Sequence, residues 1–234
     1  MKRIFLFCFL ILGSYVFADA CIKDFFNLNQ DFCKKVKIKF RGTYDYQDIK
    51  DKNYEECWIF CIEKTNGIDT ILCYPAYNNK TNPNEGKIQI GEQIFITKDK
   101  NLYVPELEIY SINYNEKIYL LFLGKVGKYG DKICFIFDIT DPDNIKFYPP
   151  EERFVCKEVA DNFAGIYQNK LCFLFSIWVS DTRLEYKLIP YYIEDNVLKM
   201  LCDDKGDAYY VRYYFLDRFE QQLVIEDVHL PDKR

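Results

Sequence analysis

The stretch IYLLFL at residues 118–123 decides the fold class of this chain. Its side chains are apolar on both faces of an extended strand, which is typical of a strand in the middle of a sheet. A second run, LCFLF at residues 171–175, has the same pattern. Each run follows a polar turn, so each predicts a central strand.

Further strands are predicted on both sides of these two runs. VKIKF at residues 36–40 alternates apolar and basic side chains, as a strand with one solvated face does. Turn residues punctuate the chain, and no long segment has a sustained helical period, which leaves at most one short helix near residues 151–161. The predicted strands are residues 36–40, 56–63, 69–74, 87–90, 93–97, 106–112, 117–123, 132–139, 170–179, 183–189, 197–202, 207–216 and 222–228.

A weak internal repeat includes both central strands. YNEKIYLLF at residues 114–122 aligns with YQNKLCFLF at residues 167–175 at an offset of 53. The match continues from Asp143-Asn144-Ile145 to Asp195-Asn196-Val197 at an offset of 52. The unit has the size of a propeller blade, but a ring needs at least four blades. Similarity between ordinary hairpins is therefore favoured over common ancestry within 114–202.

The first residues predict an export signal. Lys2 and Arg3 precede an apolar run over residues 4–17, and small residues follow at Ala18 and Ala20. The predicted signal peptide is residues 1–18, or up to residue 20, and the run is short for a bilayer span. Residues 21–234 are then a single β-rich domain that acts in the periplasm, on the cell surface or outside the cell.

Nine cysteines remain after the signal peptide takes Cys8. In an oxidising compartment this number predicts disulfides with one thiol left over. The leftover residue is Cys21 in one alternative: if cleavage follows Ala20, Cys21 is the first mature residue, where an exported lipoprotein carries its diacylglycerol. Only that lipid would hold the protein at a membrane. Otherwise one thiol is buried or joins a second chain.

The most specific disulfide prediction concerns a hairpin. CWIFC at residues 57–61 reads as a strand, Asn66-Gly67 as the turn, and residues 69–74 as the returning strand. A tight turn would place Phe60 opposite Cys73, and a longer loop or a bulge would place Cys61 there. Cys61 with Cys73 is the first predicted pair, and Cys21 with Cys33 is the second. The chain is thus predicted to be all-β or β-rich, with disulfide-stabilised antiparallel sheets that are sandwich-like or partial propeller-like.

Charge and motif content exclude several classes of function. Loss of Lys2 and Arg3 with the signal lowers the net charge from −5 to −7, which disfavours nucleic acid as a partner. His229 is the only histidine, and it lies near the C-terminus, where a solvated surface role is expected. The sequence predicts no metal site, no cofactor and no evident catalytic centre. NKT at residues 79–81 is a formal glycosylation acceptor in a eukaryotic host.

Paired tyrosines are the candidate binding residues. On strands, neighbouring side chains point to opposite faces, so some of these rings should be partly exposed and able to contact a sugar or a protein. Core packing is the alternative role for the same rings. The predicted function is an exported binding protein with a protein or glycan partner. A carboxylate-dependent glycan hydrolase and a structural envelope component are the alternatives. The candidate binding residues are Tyr191, Tyr192, Tyr209 and Tyr213.

Overall fold

The computed structural model describes residues 33–44, 51–98, 102–126, 131–149, 154–155, 164–180, 185–215 and 223–230. In this part of the chain every sheet is antiparallel and every long element is a strand, which confirms the all-β prediction. The predicted signal peptide and Cys21 lie outside these residues. Among the described residues, no helix has the length and apolar character needed to cross a bilayer.

The described chain divides into two compact units, the first containing ten strands and the second seven. Two units can belong to one domain, so the single-domain interpretation stays a prediction. The strands of the first unit are β1 (Cys33–Lys35), β2 (Ile38–Tyr44), β3 (Cys57–Thr65), β4 (Ile68–Tyr74), β5 (Gly86–Ile90), β6 (Gln93–Thr97), β7 (Leu102–Tyr114), β8 (Lys117–Val126), β9 (Asp131–Asp138) and β10 (Lys146–Tyr148). The strands of the second unit are β11 (Phe154–Val155), β12 (Ala164–Tyr167), β13 (Lys170–Ser180), β14 (Glu185–Glu194), β15 (Val197–Met200), β16 (Tyr210–Phe215) and β17 (Leu223–His229).

Two five-stranded sheets form the first unit. Their strand orders are β1-β7-β8-β9-β10 and β2-β3-β4-β5-β6. One apolar core joins them: Phe60 and Ile71 from the second sheet are fully buried in the same cluster as Phe122 and Phe137 from the first. Strand alternation puts every second residue into this core, so the unit is a sandwich of two sheets.

Two polar side chains tie the sheets of the sandwich together. The Asn66 amide, in the β3–β4 turn, donates to the carbonyl oxygens of Ile139 and Thr140 beyond β9. The Gln93 amide donates to Pro142 O at 2.9 Å and accepts from Ile145 N at 2.9 Å. The Asp-rich turn after β9 is therefore held by hydrogen bonds from the facing sheet.

The second unit is one seven-stranded sheet. Its main order is β11-β13-β14-β16-β17, with β12 beside β13 and β15 beside β14. One face carries a core cluster that includes Cys172, Leu188 and Tyr213, while Phe173 and Phe175 are buried on the other face. Burial on both faces explains why residues 171–175 are apolar without alternation.

The aligned repeat segments are both tight hairpins. Asn115-Glu116 joins β7 to β8, and Gln168-Asn169 joins β12 to β13, with positive φ at all four residues. Two positive φ values define the type I′ turn that suits the right-handed twist of paired strands. Each hairpin opens a run of four consecutive neighbouring strands, β7–β10 and β12–β15. Common ancestry of the two runs stays a prediction.

The predicted disulfide stabilisation is wrong for the described residues, where no two cysteines are joined. A bulge in β3 between Cys61 and Thr65 shifts the β3–β4 register, so that Trp58 lies opposite Cys73 and Cys61 lies opposite Thr70. Cys61 lies three residues after Trp58 on β3, so its side chain points to the face opposite that of Trp58 and its partner Cys73. Cys73 faces the core, and Cys61 faces away from it. A bond between them is excluded by this geometry. The Cys21–Cys33 prediction includes a residue outside the described part.

Each predicted strand overlaps a strand of the structure, although the two differ at their ends. The four strands absent from the prediction are short: β1, β10, β11 and β12. The predicted helix near residues 151–161 is wrong at Phe154 and Val155, which form β11, and its other residues lie outside the described part.

Candidate functional site

A cavity of about 420 Å³ opens in the first unit beside β1 and β2, which are edge strands of the two different sheets. We call it the β1–β7 cavity. Its volume is in the range of small-ligand sites, and its lining combines apolar and charged side chains, as such sites usually do. The lining residues are Lys35, Ile38, Arg41, Glu106, Leu107, Glu108 and Leu123.

Two contacts help to hold Arg41 in place. Its guanidinium donates to Leu107 O at 2.7 Å and lies 5.1 Å above the centre of the Phe60 ring. Phe60 is fully buried, so the ring provides a rigid surface below the cation. A fixed, planar guanidinium is a pre-organised partner for carboxylate or phosphate groups.

The acidic wall comes from an irregular part of β7. The β7–β8 register shifts between Tyr103 and Glu108, and Pro105 lies within this bulge. Proline lacks a backbone N–H, which restricts it to bulges and edge positions in a sheet. A bulge turns neighbouring side chains away from their regular direction, and here Glu106 and Glu108 both line the cavity.

One acidic side chain of the wall is ion-paired with a lysine of the neighbouring strand β1. Glu108 Oε1 lies 2.5 Å from Lys35 Nζ, and these side chains are partly exposed. Lys35 Nζ also lies 5.8 Å from the centre of the Tyr110 ring. The cavity thus carries charges of both signs around an apolar floor of Leu107 and Leu123, which are buried.

Two of the four predicted binding tyrosines are core residues. Tyr191 and Tyr213 are each 4% exposed. Tyr191 packs edge-on against Phe175 at 5.5 Å, whereas Tyr213 stacks on Tyr186 at 5.7 Å. The first ring lies on one face of the second-unit sheet and the second ring on the other, because Tyr213 shares its face with Cys172.

Tyr192 and Tyr209 are half-buried on the face that carries the second-unit core cluster. Lys170 Nζ lies 3.9 Å from the centre of the Tyr192 ring and 3.6 Å from Glu194. Tyr209 contacts Tyr167 edge-on at 6.1 Å. The structure therefore does not bring the four tyrosines together, and ligand binding by Tyr192 and Tyr209 stays a prediction.

His229 lies in an aromatic cluster at the end of β17. Its ring stacks on Tyr209 at 5.4 Å, and Nε2 is 3.3 Å from Asp203 Oδ2. Backbone N–H groups of Asp207 and Lys205, together with His229, hold the pKa of Asp203 below its usual value. The turn at residues 203–207 is built around this carboxylate, which accepts hydrogen bonds from both N–H groups. His229 itself is only half-exposed, since aromatic packing covers part of the ring.

In the part of the chain that the structure describes, no group of three or more His, Cys, Asp or Glu side chains converges as a metal site would require. The thiol of the exposed Cys202, next to Asp203, donates to Met200 O at 3.7 Å. The His229–Asp203 contact thus belongs to a packed aromatic cluster.

None of the residues that line the β1–β7 cavity was among the predicted binding residues. They come from four strands, and Arg41 reaches a carbonyl group 66 positions away. Two local signals were present: a proline between Val104 and Glu106 in a strand-like segment, and alternating basic residues at 37–41. Neither signal shows that the two segments meet. Comparison of this chain with protein-family models found no match. Comparisons with curated proteins and with solved structures found none either.

Proposed function

We propose that this protein is an exported binding protein whose ligand occupies the β1–β7 cavity. The observation that carries the proposal is Arg41, a cation held over Phe60 and against Leu107 O beside the apolar floor of the cavity. Fixing a charged group before binding reduces the entropy that the ligand must otherwise offset. The basic start and apolar run of residues 2–17 support export.

The lining suggests the chemistry of the ligand. Ile38, Leu107 and Leu123 favour an apolar segment, while Arg41 favours an acidic group at its edge. An acidic glycan or an acidic segment of a protein partner satisfies both requirements. Lys35 and Glu108 form a second polar contact point at 2.5 Å from each other.

Thermal unfolding in the presence of ligands tests this proposal. The mature chain is heated with a panel of acidic and neutral oligosaccharides and acidic peptides, because a ligand that binds only the native state raises Tm. Arg41→Gln is expected to remove the shift given by the acidic ligand, and Lys146→Gln on the exposed end of β10 is the matched control. An unchanged shift in Arg41→Gln contradicts the proposal.

A carboxylate-dependent glycan hydrolase is the second candidate. Glu106 and Glu108 line one cavity and are two residues apart on β7, which limits their Cα separation to ~7 Å. Glycosidase carboxyl groups lie roughly 5 to 10 Å apart. The Lys35–Glu108 ion pair favours binding over hydrolysis, since it already engages one of the two carboxyl groups that a glycosidase would need.

Product release separates the two candidates. Reducing ends are measured over the same oligosaccharide panel with the wild type, Glu106→Gln and Glu108→Gln. Binding without release supports the first candidate. If the wild type releases reducing ends and neither Glu106→Gln nor Glu108→Gln does, the protein is a hydrolase.

A further inference from the structure

β6 forms one edge of its sheet, and its outward backbone groups are set by the preceding turn. Gly91-Glu92 is a two-residue turn with positive φ at Gly91, and Ile90 lies opposite Gln93. In such a hairpin the residues flanking the turn exchange hydrogen bonds, and hydrogen-bonded pairs then alternate. The N–H and C=O groups of Ile94 and Ile96 therefore point away from β5.

Two large apolar side chains on this edge are exposed to solvent. Ile94 is 57% exposed and Ile96 is 45% exposed, on the outer face of the sandwich. QIFIT, the sequence of β6, contains no charged residue. Edge strands are commonly protected by charges, and β1, β2, β10, β15 and β17 each contain Lys, Arg, Asp or Glu. Among the described edge strands, β6 shares the lack of charge with the shorter strands β11 and β12. β6 has the features of an edge that pairs with another strand.

The sequence around β6 is complementary to itself in the antiparallel sense. If a second copy is placed antiparallel with Phe95 opposite Phe95, Ile94 lies opposite Ile96 of the second copy, and Gln93 opposite Thr97. Glu92 then lies opposite Lys98, both of which are exposed, and the two-fold axis repeats this contact. Opposite charges across an antiparallel pair are favourable, whereas like charges are not.

Hydrogen-bond positions support the same register. Ile94 and Ile96 carry the outward backbone groups, so an Ile94–Ile96 pair exchanges both of its N–H···O=C bonds. Phe95 bonds to β5 and falls at the non-hydrogen-bonded position on the axis. Shifting the second copy by two residues would place an isoleucine opposite Glu92 or Lys98, and would separate the charges.

We propose that two copies of this chain associate through antiparallel pairing of β6, joining their β2–β6 sheets into one continuous sheet. The proposal is independent of the ligand cavity, which lies at the opposite edge of the sheet, beside β2. Four isoleucine side chains, Ile94 and Ile96 from each copy, form the apolar centre, and the Glu92–Lys98 pairs form its rim. An edge contact of this kind is smaller than a standard interface, so we expect a dimer of roughly micromolar affinity.

Sedimentation equilibrium of the mature chain measures the association. The wild type is expected to change from monomer to dimer over roughly 1 to 200 μM. Ile94→Lys places one ammonium group from each copy near the two-fold axis, where the two groups repel each other. The substitution is expected to raise the Kd of the dimer about tenfold or more. Val197→Lys is the matched control, since it removes a similarly exposed apolar side chain from β15, and its Kd should equal that of the wild type. Circular dichroism verifies that each variant is folded.

A charge exchange tests the register. Glu92→Lys alone places Lys opposite Lys98, and Lys98→Glu alone places Glu opposite Glu92, so each variant should dimerise weakly. An equimolar mixture of the two should form heterodimers, because both rim contacts then join opposite charges.

Three results would overturn the proposal. The first is a wild type that stays monomeric up to about 200 μM, which would leave β6 for a strand of a different protein. The second is a dimer that Ile94→Lys does not weaken. The third is a mixture of the two charge variants that associates no better than either alone.

Discussion

Asn79 shows how one side chain can organise a loop of the sandwich. Its Nδ2 donates to Tyr54 OH and Glu85 O, each at 3.0 Å, and its Oδ1 accepts from Thr81 and Asn82. The residue is 6% exposed. A glycan on Nδ2 would displace these contacts, so the NKT sequence is expected to stay unmodified in the folded protein.

Asn79→Ala should lower the free energy of unfolding by about 2–3 kcal/mol, because it leaves buried donors and acceptors without partners. Urea unfolding at pH 7 measures the loss. Asn84→Ala, at an exposed position in the same loop, is the control and should stay within about 0.5 kcal/mol of the wild type. Equal effects of the two substitutions would contradict the role given to Asn79.

Burial also governs the chemistry of the thiols. It raises the pKa of Cys57 to about 11 and that of Cys172 to about 12. Since the thiolate is the reactive form, these two residues should resist maleimide at pH 7.5, and the exposed Cys202 should react first.

Peptide mass spectrometry after labelling, with and without urea, gives the order of reaction. Cys57 and Cys172 should be labelled only in urea. Labelling of Cys57 as fast as Cys202 in the native protein would contradict the packing around Tyr54 and Tyr74.

At the level of elements, the tight turns lower the stability of the fold by a measurable amount, because some of their residues adopt a left-handed conformation. Glu116 has a φ of 63°, a left-handed conformation that costs a non-glycine residue about 1–2 kcal/mol. Glu116→Gly should therefore stabilise the protein by about 1 kcal/mol. Gly67→Ala, at a φ of 87° with open space around the missing Cβ, should destabilise it by a similar amount. Chemical unfolding of both variants checks the pair, and stabilisation by Gly67→Ala would contradict this account.

Strands were predictable because their signals are local, whereas pairings across the chain were not. Apolar runs and turn residues identify β8 and β13 from the sequence alone. The β3 bulge has no such signal, and it decides that Trp58 faces Cys73. The β1–β7 cavity depends on Arg41 meeting β7, a contact that neither segment encodes by itself.

At the scale of the whole molecule, export can be tested by intact mass. We expect the exported chain to begin after Ala18 or Ala20, since small residues precede the cut. A diacylglycerol mass on Cys21 would add a membrane anchor, and an unmodified mass would indicate a free exported protein. A full-length mass in the exported fraction would contradict the signal peptide.

The pairing of β1 with β7 has a consequence for how the first unit assembles. All its other strand pairs join consecutive strands, but Lys35 lies opposite Tyr110, about 75 residues later. Closing so long a loop is slow compared with forming hairpins. During synthesis β1 emerges well before β7 exists, so it must wait while the hairpins β3–β4 and β5–β6 form. Refolding should accordingly show a late phase, and a flexible insertion in the connection between β1 and β7 should slow this phase further.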